Sequence, residues 1–171
     1  MTPLVPEVVT PRGAADYLEV MTRAVFQTGL RWKQIAGHWA SYRQAFCDFD
    51  AVRVAAFSDP DVARVLETPG VLRSERKIRA TIRNAQALLA IEREHGSLDR
   101  YLRGLEYAAL SRELRTRFAF MGEMNAWYFA FRVGLPVPRF EGWVQTIPGD
   151  HPRMREMVDL ARKQGRSSER P

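Results

Sequence analysis

Two groups of residues in this 171-residue chain are spaced for chemistry. Arg73, Arg76, Lys77, Arg79 and Arg83 crowd the first turns of a helical pattern, where Glu75 is the single acid. Positive charge at a helix N-terminus opposes the helix dipole, so such a cluster favours a nearby anion such as a phosphate. The second group is Gln27-Thr28-Gly29-Leu30-Arg31-Trp32, where a glycine break presents an apolar and an aromatic side chain between basic residues. The bland reading of that combination is a turn whose Trp32 begins a core stripe and whose Leu30 simply packs.

The totals narrow the partners. Lys and Arg number 26 against 20 Asp and Glu, a net charge of +6, and all but Lys33, Lys77 and Lys163 are arginine. Arginine's planar fork matches phosphate and carboxylate, so a polyanion is one expectation and a solvated basic surface the other. Cys47 is the only cysteine, and His38, His95 and His151 are scattered. An internal disulfide and a Cys-rich zinc site are therefore excluded, and no metal or other cofactor is expected. There is no charged and apolar leader, and nowhere do 18 apolar residues run together, so the chain reads as cytoplasmic with no membrane partner.

The elements that must position these residues are all helical, because apolar residues recur at three and four and no alternating strand pattern appears. Residues 1–13 carry three prolines and read as an arm that ends in a Thr10-Pro11 helix start. The pattern then predicts a helix over Ala14–Gln27 on Leu18, Met21 and Val25. A helix follows through Trp32, Ile35, Trp39, Tyr42 and Phe46, then a short one over Ala51–Phe57. Ser58-Asp59-Pro60 caps another. The longest is expected over 75–95, lined by Ile78, Ile82, Ala85 and Leu89 and closed by Gly96. Further helices are expected over Leu102–Leu114, from a tight turn at Gly122 to Gly134, and over Pro152–Gln164. One domain over 14–165, in one or two closely packed lobes, and a frayed tail over 166–171 complete the reading.

Across Tyr17 to Leu102 this pattern resembles the DNA-3-methyladenine glycosylase I family of helix-hairpin-helix DNA glycosylases. The shared positions are Gln27-x-Gly29-Leu30-x-Trp32, Tyr42-Arg43-x-Ala45-Phe46-x-x-Phe49-Asp50, Val54-Ala55, Asp61-Val62, Gly70-x-x-Arg73-x-x-x-Lys77-Ile78-x-Ala80 and Asn84-Ala85. A second block, Phe118 to Gly134, is similar to the hairpin and second helix. The resemblance implies an all-α helix-hairpin-helix fold, and a monomer acting in the nucleoid on double-stranded DNA that contains a damaged base. It implies that the nucleotide is flipped out and its N-glycosidic bond hydrolysed. By the same resemblance, Trp32 stacks on the base, Leu30 plugs the gap, Gly29 admits close approach, and Gln27 belongs to the base site. Arg73, Arg76, Lys77 and Gly122 hold the DNA backbone.

The chain departs from the family in three places. The family's N-terminal Cys, its Tyr-His-Asp-x-Glu-Trp-Gly segment and its C-terminal zinc ligands have no counterpart. Ala24 stands where the family has a base-recognising glutamate, eight residues before the Trp. Glu141, past the second hairpin helix, is then the catalytic candidate, either stabilising positive charge at the sugar or standing as a loop acid. Glu123, in the first turn of the hairpin helix, is the weaker candidate and fits a dipole-complementing acid. The alternative function is a non-catalytic DNA- or lesion-binding protein.

Overall fold

The computed structural model describes the backbone of residues 8–168; the side chains of Trp32, Arg153 and residues 164–168 lie outside the described set. Eleven α-helices fill the described residues, with no strand among them. The first, α1, spans Ala14–Gln27 and buries Leu18, Met21 and Val25 as the periodicity requires. Its cap is Gly13, without a side-chain bond, instead of Thr10-Pro11. Arg12 reaches forward in compensation, its N–H donating to Asp16 Oδ2 at 2.9 Å.

The aromatic stretch after α1 is two helices, α2 (Trp32–Ala36) and α3 (Trp39–Ala45), because the chain breaks at Gly37 and His38. The break still buries the stripe: Trp39 stacks on Tyr42 and on Phe49. Cys47, Asp48 and Phe49 then run at φ 54, 53 and 58°. This left-handed turn is costly for side chains with a Cβ, and the core seat of Phe49, fully buried, stabilises it. Asp50 caps α4 (Ala51–Ala55), accepting from the amides of Val52 and Arg53. Ser58 and Asp61 form a capping box on α5 (Asp59–Leu66).

The central element is α6 (Glu75–His95), capped by Ser74 and closed by Gly96 at φ 77°. It packs against α1 and α4. Ile78, Ile82 and Ala85 face the core as expected, while Leu88 and Ile91 are fully buried in place of the half-buried Leu89. The expected helix over Leu102–Leu114 is instead two, α7 (Leu98–Arg103) and α8 (Tyr107–Arg117). Ser97 caps the first, and the chain turns between them at Gly104, Leu105 and Glu106.

After a hairpin, α9 (Glu123–Arg132) carries the aromatic run inward. A short α10 (Phe140–Trp143), absent from the periodicity reading, brings Trp143 onto Trp127 at 5.4 Å. The last helix, α11 (Pro152–Ser168), continues past Gln164 and seats Met154, Met157 and the buried Val158 on this second aromatic cluster. No helix among the described residues is long and apolar enough to cross a membrane.

Candidate nucleic-acid interface

The first half of α6 gathers three turns of chain. Lys77, half-buried, turns back onto the fold: its ammonium donates to the carbonyl oxygens of Phe26 at 3.0 Å and Thr28 at 2.8 Å. Two C-terminal carbonyls of α1 thus gain a cationic partner, which holds the 27–31 turn against α6. Burial pushes the Lys77 ammonium below its ordinary pKa. In that turn Gly29 sits at φ 82° with nothing within 4 Å of where a Cβ would lie. Leu30 donates its amide to Gln27 O at 2.8 Å and lies half-buried against the main core, so it has both an inner contact and an outer edge. Trp32 opens α2, and its side chain is outside the described residues.

The second turn is the hairpin between α8 and α9. Asn84, 1% exposed on α6, clamps it from below. Its Oδ1 accepts from the Ala119 amide at 2.7 Å and its Nδ2 donates to the Ala119 carbonyl at 3.3 Å. The left-handed residue of the hairpin is Phe120, at φ 58°, whereas Gly122 at φ −74° and ψ 179° is ordinary extended backbone. Two contacts hold Phe120 in place. The Arg76 guanidinium lies 4.9 Å from its ring centre, and Asn125 Nδ2 donates to its carbonyl at 2.9 Å. Gly122 caps α9 with no side-chain bond and with open space where a Cβ would be. The first amides of α9 therefore point outward at a place where main chain can come close to a ligand.

The third turn, 70–74, leads into α6. Arg73, 70% exposed, pairs with Glu67 at 2.9 Å. Arg79 pairs with Glu75 at 2.8 Å and Asp59 at 2.9 Å. The acid that the sequence does not show beside this cluster thus comes from α5 and its flank, brought in by tertiary packing. Arg76 and Arg83 remain exposed, without ion pairs among the described residues. The cluster is accordingly less starved of anions than its spacing suggests, and its exposed positive charge centres on Arg76.

The other residues that the sequence puts forward lie on α1, α9 and α10. Glu141 is half-exposed and ion-paired to Arg162 of α11, with Arg139 at 3.8 Å. The Arg162 hydrogen bond holds its carboxyl below the usual carboxylate range, so it stays ionised. Gln27 Nε2 lies 3.5 Å from Met157 Sδ on the same helix. Met157 and Arg162 are five residues apart, about 7.5 Å along the helix axis, so α11 bridges the Gln27 end of α1 to Glu141. Ala24 is half-buried on α1, and its carbonyl accepts from both the amide and the hydroxyl of Thr28. Glu19, on the same helix, is taken up by Trp39 Nε1, Arg43 and Arg23 at 2.8, 2.8 and 3.1 Å. Glu123 pairs with Arg115 at 3.2 Å.

The described residues do not fit the zinc clip of the resembling family. His151 Nε2 meets the Pro148 carbonyl and His95 stacks on Tyr101. No group of three His, Cys, Asp or Glu among the described residues could hold a metal. Asn84 is the residue whose role sequence reasoning missed. A buried amide in the middle of a helix was the available signal, since such a group must find partners.

The all-helical body thus presents the α8–α9 hairpin beside the basic N-terminal end of α6. The methyladenine glycosylase model matches residues 9–128, and the chain belongs to that family. DNA-3-methyladenine glycosylase 1 of Escherichia coli (strain K12) is 41% identical over 66 residues, 39% of this chain and 35% of that protein. DNA-3-methyladenine glycosylase of Haemophilus influenzae (strain ATCC 51907 / DSM 11121 / KW20 / Rd) is 34% identical over 67 residues, 39% of this chain and 36% of that protein. These matches therefore span about a third of the length of the curated relatives. A crystal structure of 3-methyladenine DNA glycosylase I superposes with a TM-score of 0.64 and 28% identity, covering 75% of this chain and 83% of that one.

Proposed function

We propose that this protein is a base-excision DNA glycosylase that flips a damaged, alkylated base from duplex DNA and hydrolyses its N-glycosidic bond. Family membership supports the reading, together with the meeting of the 27–31 turn, the hairpin and the 70–74 turn at the N-terminal half of α6. In this reading the outward amides at Gly122 and α9 take one phosphate, with Arg76 and Arg73 alongside. Lys77 serves the backbone contact by fixing the turn that makes it. Trp32 stacks on the flipped base, a contact worth about 1–3 kcal/mol, beside Gly29, Leu30 and Gln27. Flipping itself costs a few kcal/mol, which these contacts offset.

Glu141, ionised and fixed by Arg162, would stabilise an oxocarbenium-like sugar electrostatically and would not donate a proton. The work is done on nucleoid DNA. A second reading, a lesion binder without catalysis, is favoured by Ala24 and by the engagement of Glu141 with Arg162. Duplexes carrying alkylated, deaminated and oxidised bases separate the two. Release of a base that Trp32→Ala cuts by at least tenfold supports the enzyme. Tight lesion-duplex binding with no released base and no abasic site overturns it in favour of the binder.

A further inference from the structure

Charge is segregated along this chain. Residues 20–47 hold none of its 20 Asp and Glu residues, yet they carry Arg23, Arg31, Lys33, His38 and Arg43. Two of these are neutralised locally, because Glu19 pairs with Arg23 at 3.1 Å and with Arg43 at 2.8 Å. Arg31, Lys33 and His38 stay exposed along α2 and the corner before α3, with no ion pair among the described residues. Their backbone is well seated. Ile35 and Trp39 are buried beneath them, and Gln34 Oε1 accepts from the Arg31 amide at 2.7 Å. Like charges gathered without an acid repel one another, so an anionic partner relieves a cost that the free protein carries.

Position selects the anion. Helix α2 starts at the 28–32 turn and ends at a corner that meets the 70–74 turn, where a Cβ on Gly70 would lie 3.2 Å from His38 Nδ1 and 2.8 Å from Ser41 Oγ. Five helical residues span about 7.5 Å, so the three cations line one edge between two turns of the candidate interface. A small anion would meet one of them; a chain of regularly spaced phosphates meets all three. We propose that Arg31, Lys33 and His38 form a strip that binds successive phosphates of the duplex beside the 28–32 turn, with His38 taking part in its cationic form. The proposal rests on the DNA reading above and adds a backbone contact outside the hairpin and α6. Imidazole gains its charge toward the acid side of neutrality, so the grip strengthens as pH falls. The charged side chains on the elements around His38 are Lys33 on α2, Arg43 on α3, and Glu67 and Arg73 on the segment that carries Gly70. The carboxylates nearest to them, Glu19 and Glu67, are each already paired with an arginine. The other histidines are engaged elsewhere, His95 on Tyr101 and His151 on the Pro148 carbonyl.

Anisotropy titrations of the full-length protein on a duplex with a tetrahydrofuran abasic analogue, over a range of salt at about pH 6 and about pH 8, test the strip. The double variant Arg31→Gln, Lys33→Gln is expected to weaken binding on the order of tenfold at about 0.1 M salt and to shrink the salt slope by about two. Its melting temperature should hold within error, because both side chains are exposed. Arg100→Gln, which removes an exposed charge on α7, should leave the slope unchanged. Wild-type affinity should rise about threefold to tenfold from pH 8 to pH 6, the worth of one phosphate contact. His38→Gln should lose most of that rise, and His38→Lys should bind at pH 8 as the wild type binds at pH 6. An unchanged slope in the double variant, or an equal drop in Arg100→Gln, overturns the strip. A pH response that survives His38→Gln overturns the part given to His38. Wild-type protein that binds no duplex even at low salt overturns the DNA reading itself.

Discussion

Replacing Asn84 by alanine tests the claim that α6 sets the hairpin. The side chain is 1% exposed and holds both backbone groups of Ala119, at 2.7 and 3.3 Å. Each bond contributes about 1 kcal/mol net, and the methyl-sized void left by the amide costs about 1 kcal/mol more. Ala119 is half-buried, so water recovers part of this. A loss of about 2–3 kcal/mol follows, which for a chain of this size lowers Tm by roughly 5–10 °C. The hairpin should loosen beyond the rest of the fold. DNA affinity measured well below the variant's Tm then falls roughly fivefold to thirtyfold, the worth of one or two phosphate contacts, and the salt slope shrinks by about one. Asn84→Asp adds a sign test. Its carboxyl can donate to the Ala119 carbonyl only when protonated, and burial also disfavours the charge, so its folded pKa lies above the unfolded one. Its stability relative to wild type is therefore best below about pH 4 and declines as pH rises through the folded pKa. Calorimetry and anisotropy titrations read both effects. A variant Asn84→Ala that melts within 1 °C of wild type, or melts low with unchanged DNA affinity and salt slope, would refute the clamp.

Two other outcomes check neighbouring parts of the account. Gly70→Ala forces a Cβ into the left-handed region against Ser41 and His38, and should destabilise by about 1–3 kcal/mol in urea unfolding; a neutral result would mean the turn is free to shift. Asp99 accepts from the Tyr17 hydroxyl at 2.6 Å, and chiefly that bond holds its carboxyl below the usual range. A depressed folded pKa contributes stability above the unfolded value of about 3.9 and loses it as pH falls through the folded value. The stability difference between wild type and Asp99→Asn should therefore be constant above about pH 5 and shrink toward pH 3. A pH-independent difference would contradict that assignment.

The helices were legible where one helix buries one face. Leu18, Met21 and Val25 on α1 fix it from the sequence, and Gly96 ends α6 in the conformation glycine favours. Gly37 and Gly104 each break a run that the spacing predicts as one helix, because the apolar spacing continues across the break. The interface was legible in its parts and not in its wiring. The spacing of Arg73, Arg76 and Lys77 marks a basic helix end. Only tertiary packing turns Lys77 inward to Phe26 and Thr28, sets Arg76 over Phe120, and brings Glu67 and Asp59 to Arg73 and Arg79. The hairpin turns on Phe120 and not on Gly122, since the clamp from Asn84 and Asn125 stabilises a backbone that local propensity disfavours.

Amide hydrogen exchange of the full-length protein, with and without a duplex holding a tetrahydrofuran abasic analogue, tests the central claim most directly. The account predicts protection in three separate stretches at once, residues 28–32, 70–74 and 119–125, with α7 and the outer face of α5 unchanged. Protection confined to α10 and α11, or none in the hairpin despite saturated binding, would contradict it.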